Sequence, residues 1–264
     1  MKNKIIFSIG FVLFVGSIAF IAPSQEAVSP TTNHDPGLKL IVTAPSQSYV
    51  LGEVVPLSIE LKRDREPDNS DGDAKSGKYG YLHISIAGDD RLFREYYGPG
   101  IQVGGDEINL RLRSGESYRT TTAVLWNGKP NIAATGDLRD KNNRILTDYA
   151  FPTSGIYFVK ATITTSADEK TPEKIESEPI QIIVNEPLSD ELRVWDRIKN
   201  KSEIAYFMQQ GDFQIYKSEE KEKLLKDIRQ IIQKYPNSIL ANQMEASLGK
   251  YEIIEAKIKQ QKKN

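Results

Sequence analysis

Two histidines, His34 and His83, and an acidic group, Asp68, Asp71 and Asp73 beside Gly72, are the residues whose types suit proton transfer or a hard cation. Their settings argue against both chemistries. His34 sits in a proline-rich stretch, where a solvated side chain is expected. His83 falls on the polar face of an alternating strand pattern, and nothing nearby in sequence is built to orient it. A calcium loop with Gly72 at its sharp turn needs an oxygen ligand five residues earlier, where Pro67 stands, so a solvated loop is expected instead. Gly98 to Gly105 (GPGIQVGG) mimics a phosphate loop, but its third glycine is out of register and no helix follows, so hairpin turns explain it better.

The remaining chemistry is excluded by type or leaves no trace. With no cysteine, disulfides, thiolate zinc sites, cysteine nucleophiles and a lipid-modified cysteine are all ruled out. There is no Gly-x-Ser-x-Gly elbow and no H-E-x-x-H helix. A pair of glycosidase carboxylates would meet only in the fold. The expectation is a protein that is not an enzyme and takes no cofactor or metal. Trp126, before Asn127-Gly128, and the Tyr96-Tyr97 pair could stack on sugar rings, and Trp195 and Phe207 could anchor a protein partner. Against each stands the plainer use of an aromatic side chain in a core.

What must position these residues starts with a leader. Met1 to Lys4 is short and positive, and Ile5 to Ala22 is an uncharged apolar run of 18 residues, which reads as a signal peptide or as an uncleaved N-terminal membrane anchor. Ser17-Ile18-Ala19 fits the small-x-small rule for cleavage. Either way the rest of the chain is expected outside the cytoplasm, secreted, periplasmic or at the cell surface. Residues 23–37 hold three prolines and almost nothing apolar, as a linker does. A net charge of −1 over 264 residues gives no reason to expect nucleic acid as a partner.

From Leu38 the pattern is one of short alternating segments. Glu53 to Lys62 places Val55, Leu57, Ile59 and Leu61 on one face, and Pro56, unable to donate to a ladder, puts this strand at an edge or its proline at a non-bonded position. Tyr79 to Ala87, Arg91 to Tyr97, Ile108 to Leu112, Tyr118 to Trp126, Ile145 to Tyr149 and Glu178 to Val184 follow. The organising strand is Phe151 to Ile163, where a turn delivers Tyr157, Val159, Ala161 and Ile163 to one face. About eight strands without helical periodicity between them predict an antiparallel β-sandwich over residues 38–185.

Tyr49 to Ile59 (YVLGEVVPLSI), the Ser114-Gly115-Glu116 turn before a threonine-rich strand, Ser154 to Tyr157 (SGIY) and Ser177 to Ile182 (SEPIQI) resemble extracellular bacterial immunoglobulin-like domains of the macroglobulin and fibronectin type. The resemblance covers roughly residues 38–185 and implies a fold, with no binding residue carried over.

Beyond Pro187 the period changes to 3.6, giving an α-helical tail over residues 186–264. One stripe runs from Leu188 through Trp195 to Met208 and stops at Gly211, a second from Leu224 to Tyr235, and a third from Leu240 to Ile258 with Asn237 as its cap. The Tyr235-Pro236-Asn237-Ser238 turn, Ala241 and Leu248-Gly249-Lys250-Tyr251 resemble the junction between tetratricopeptide repeats, although no second copy follows. Together these expectations describe an exported protein-interaction module of the bacterial cell envelope. The alternatives are a carbohydrate-binding module or a protease inhibitor presenting Arg63 to Lys78. A row of exposed aromatics would favour sugar, a projecting loop inhibition, and an exposed apolar face on the helices a protein partner.

Overall fold

In the computed structural model the described residues are 37–64, 77–96, 98, 108–110, 112, 114–127, 149–165, 174–213 and 218–261, with the backbone alone at 77–81, 108–110 and 165. The leader, the linker up to residue 36, the acidic loop, Tyr97 and residues 145–148 of an expected strand lie outside them. Residues Thr32–Asn264 form one compact unit.

Alternation decides the first part of the chain. The strands are β1 (Leu38–Thr43), β2 (Ser48–Val50), β3 (Val55–Arg63), β4 (Gly77–Ala87), β5 (Arg94–Tyr96), β6 (Ile108–Leu110), β7 (Ser117–Val124), β8 (Gly155–Thr165), β9 (Lys174–Glu176) and β10 (Ile180–Asn185). In β3, Val55, Leu57, Ile59 and Leu61 are all buried while Pro56 and Lys62 face out. Burying each large apolar side chain is worth roughly 1.5–3 kcal/mol, which fixes the register because a one-residue slip would turn all four outward.

The strands form two sheets, one ordered β1-β3-β7 and the other β2-β10-β8-β4-β5, with β6 on β4 and β9 on β8. Strand β3 is therefore central, so of the two expectations for Pro56 the non-bonded position holds and the edge does not. Its proline is accommodated because the β1 ladder ends at the Thr43 and Ser58 pair, short of Pro56. Not every neighbour is antiparallel either: β2 runs parallel to β10, with Tyr49 opposite Val184. Inward residues of both sheets, among them Val42, Leu57, Ile84, Val159 and Ile182, belong to one core.

Four helices follow: α1 (Ser189–Ile198), α2 (Ser202–Gln210), α3 (Ser218–Lys234) and α4 (Ile239–Gln261). The first expected stripe is thus two helices, broken at 199–201, where the Lys201 amide turns back to the Ile198 carbonyl at 2.7 Å. Gly211 ends α2 as expected, in the left-handed region at φ 75° with its N–H on the Phe207 carbonyl. The cap of α4 is Ser238, not Asn237: its hydroxyl accepts the Ala241 N–H at 3.2 Å.

The helices do not form a separate tail. Val194, Ile198, Ile204 and Phe207 are fully buried in the same core as the sheets. Trp195 lies on Gly52, whose backbone sits at φ +91° and where an added Cβ would stand 2.5 Å from the indole. Gln243 of α4 completes the backbone of Val54, accepting its N–H at 2.8 Å and donating to its carbonyl at 3.3 Å, much as a neighbouring strand would.

Candidate interaction site

Helix α4 carries a single apolar stripe, but only part of it is used. Leu240, Met244, Ser247 and Tyr251, spaced by three and four, are buried against the rest of the fold. The same spacing continues through Ile254 and Ile258, which are 43% and 41% exposed, and beside them Ile253 is 58% exposed. The first turn of α3 lies beside this end of α4, where Lys221 reaches Glu255 at 3.0 Å, but leaves these isoleucines exposed.

Around this end the side chains order the helix pair. Glu255 accepts hydrogen bonds from the Tyr251 hydroxyl and the Lys221 ammonium, both at 3.0 Å, and the Lys221 bond first of all holds its carboxyl below the usual carboxylate range. Glu252 pairs with Arg229 at 3.1 Å. The exposed isoleucines are thus flanked by fixed charges, with acid at 252 and 255 and base at Lys257 and Lys259. At the opposite end of α4, Leu188, Leu192 and Ile239 are also exposed, beside the Glu191 carboxylate that receives the Ile239 N–H at 2.6 Å.

A cleft of about 550 Å³ opens elsewhere, between Gly88–Asp90 and Pro152–Gly155. Its polar groups are largely spent on each other. Asp90 binds Arg94, which holds its carboxyl below the usual range, and also accepts the Leu92 N–H at 3.0 Å. The Tyr157 hydroxyl donates to the Thr153 carbonyl at 2.8 Å, and Ser154 donates to Glu186.

His83 meets Glu95 across the β4–β5 ladder, its Nδ1 2.6 Å from the carboxylate. Sequence reasoning found no orienting partner because the two are brought together only by strand pairing. Among the described residues no group of three or more His, Cys, Asp or Glu could hold a metal ion.

The aromatic residues offered as ligand surfaces have another use. Tyr96, Trp126, Trp195 and Phe207 are all buried. Trp126 packs edge-on against Tyr149 at 5.9 Å, and Tyr149 against Trp195 at 5.1 Å. Phe207 stacks on Phe213 at 4.4 Å. These contacts between sheet and helix, and within the helical layer, remove the ring faces that a sugar or a partner would need. Tyr97 lies outside the described residues. The exposed isoleucines of α4 were missed because their spacing continues a core stripe, and periodicity does not say where its cover ends.

No family model matches the chain and no curated protein is similar to it. Among solved structures, the C-terminal domain of Wzt matches 58% of this chain and 77% of its own at 11% identity and a TM-score of 0.33. The putative ApaA protein from Bordetella pertussis matches 59% of this chain and 98% of its own at 16% identity and a TM-score of 0.30. A β-glucosidase from Listeria innocua, solved with isofagomine, matches 56% of this chain at 9% identity and a TM-score of 0.27, and the match spans only 16% of that enzyme. Scores this low decide neither fold family nor function. No described helix is long and apolar enough to cross a membrane.

Proposed function

We propose that this chain is an exported, non-catalytic protein-interaction module of a bacterial cell envelope, in which an immunoglobulin-like sandwich supports a helical layer that docks a protein partner. The observation that carries the reading is the exposed end of the α4 stripe, with Ile253, Ile254 and Ile258 each more than two-fifths exposed. Covering such side chains is worth on the order of 1 kcal/mol each, and grouped exposed apolar residues mark protein contact surfaces. The two-sheet arrangement supports the immunoglobulin-like reading, and the leader supports export. Packing of Tyr96, Trp126, Trp195 and Phe207 in the interior favours a protein over a carbohydrate partner.

The test is a photo-crosslinking amino acid placed at Ile254 in the living source cell, with the exposed Glu245 as a control position. The reading expects a discrete crosslinked protein band from position 254 and none from 245. Equal, diffuse crosslinking at both positions would remove the α4 end as a docking face.

A further inference from the structure

We propose that the open edge of β7 binds an extended segment of another protein, which adds to the sheet as a further antiparallel strand. The site is separate from the end of α4 and goes beyond the docking reading above. In the sheet ordered β1-β3-β7, strand β7 has a neighbour on one side only. Its bonding to β3 is marked by the Arg63 N–H on the Glu116 carbonyl at 3.0 Å and recurs at every second pair, at Tyr118, Thr120 and Thr122. Ser117, Arg119 and Thr121 therefore turn their N–H and C=O groups away from β3. Among the described residues these groups meet no strand, and all three residues are exposed.

The fold itself shows how this row of groups is used. One step further along, at Ala123, the outward carbonyl accepts the Gln209 side-chain amide at 2.7 Å, in the place where a neighbouring strand's N–H would stand. That cover ends there. Inside the sandwich Leu57, Ile59 and Leu61 of β3 are buried, but the residues opposite them on β7, Thr122, Thr120 and Tyr118, are only half-buried. The Thr122 Oγ1 is buried without a hydrogen-bond partner, so the inner side of this edge is incomplete as well. A strand laid along β7 would meet Ser117, Arg119 and Thr121 with its backbone and cover Tyr118 and Thr120 with alternate side chains.

The other described edges offer less. On β1 the residues turned away from β3 are Leu38, Leu40 and Val42, all buried, and β2 and β5, at the edges of the other sheet, are three residues long. Edge strands are commonly protected by a proline, a bulge or a charge. β7 has no proline, its eight pairs with β3 run without a shift of register, and its one charge, Arg119, lies across the sheet on Glu60 at 3.1 Å. Arg119 also selects the partner. A second copy of β7 in full antiparallel overlap would set Arg119 against Arg119, which is unfavourable, whereas an acidic residue at that place in the added strand pairs with it. The favoured occupant therefore alternates apolar residues facing the core with an acidic residue facing outward.

Fluorescence anisotropy on the full chain, with a labelled and terminally blocked peptide of sequence Thr-Val-Glu-Val-Thr-Val-Thr as the probe, measures the pairing. The wild type is expected to bind it with a dissociation constant below about 1 mM. The same peptide with every backbone nitrogen methylated cannot donate to the edge and should bind weaker by roughly tenfold or more. Thr121→Pro should weaken binding of the unmethylated peptide by a similar factor, because it removes an outward N–H that takes no part in the β3 ladder, and urea denaturation checks that the variant is folded. Arg119→Glu should weaken binding of this peptide by roughly threefold and strengthen that of a counterpart with lysine in place of glutamate. No binding by the wild type at about 1 mM, equal binding of the methylated peptide, or a folded Thr121→Pro protein that binds like the wild type would each overturn the proposal. Should Thr121→Pro fail to fold, the methylated peptide on the wild type still decides. A wild type that sediments as a dimer and becomes a monomer on Thr121→Pro would overturn the choice of partner in favour of a second copy.

Discussion

The side-chain oxygen of Gln209, in α2, accepts the backbone N–H of Trp126, just past β7, at 2.7 Å. The same amide donates to the Ala123 carbonyl at 2.7 Å and to the Tyr96 hydroxyl at 2.8 Å, and Tyr96 in turn donates to the Trp126 carbonyl at 2.8 Å. One glutamine thus ties a helix to strands β5 and β7 where backbone pairing stops. Burial pushes the Tyr96 phenol well up, so it stays a donor.

Gln209→Leu should therefore cost about 2–4 kcal/mol, because it leaves a buried N–H, a carbonyl and a hydroxyl without this partner. Urea denaturation measures it. A loss below about 0.5 kcal/mol, the usual range for a surface change, would mean that the network is not buried as described.

Glu191, in the first turn of α1, acts as a cap for another helix. Its carboxylate receives the Ile239 N–H at 2.6 Å, the Leu240 N–H at 3.3 Å and the Ser238 hydroxyl at 2.7 Å. Glu191→Ala should destabilise the protein by about 1–2 kcal/mol, the range of a lost cap with its charge at a helix N-terminus, and Glu191→Gln by less. A negligible loss from Glu191→Ala would show that charge and hydrogen bonding at this cap do not matter.

Glu53 gives a pH dependence with a definite sign. Burial first, and the nearby Glu191 carboxylate after it, push its carboxyl above the usual carboxylate range, against the opposing hydrogen bond from the Val50 N–H. A carboxyl whose folded pKa is raised contributes stability that is fully present below the unfolded pKa and lost as pH rises through the folded pKa. Glu53→Gln should thus be more stable relative to the wild type at neutral pH than at acid pH. Parallel stability curves for the two proteins from neutral to acid would contradict this.

The sheets and helices should unfold together. A sandwich over 38–185 with a core of its own would survive removal of residues 189–264, but here that removal strips Gly52, Trp126 and Tyr149 of the helices that cover them. We expect a single cooperative transition for the intact chain and loss of that transition in the truncated one. Two separate transitions in calorimetry would contradict a shared core.

Much of this architecture is legible in the chain. Strand β3 and strand β8 announce themselves by period two, and Gly211 ends its helix where the stripe stops. Sheet order is less legible: the parallel pairing of β2 with β10 joins residues far apart in sequence, and Pro56 left open an edge strand or a non-bonded position, of which the structure has the second. The break between α1 and α2 has no glycine or proline to mark it. For the candidate site, Ile254 and Ile258 are visible as part of a stripe, but their exposure depends on which face of α4 the rest of the fold covers. The interior places of Trp126 and Phe207 likewise follow from which surfaces the sheets leave for the helices to cover.

Hydrogen exchange along α4 in the isolated protein tests the central claim most directly, because the claim is that the fold covers one part of a continuous stripe and leaves the rest open. The account predicts that amides of residues 240–251 are protected while those of 252–261 exchange quickly. Protection of the whole helix in the isolated protein would contradict it.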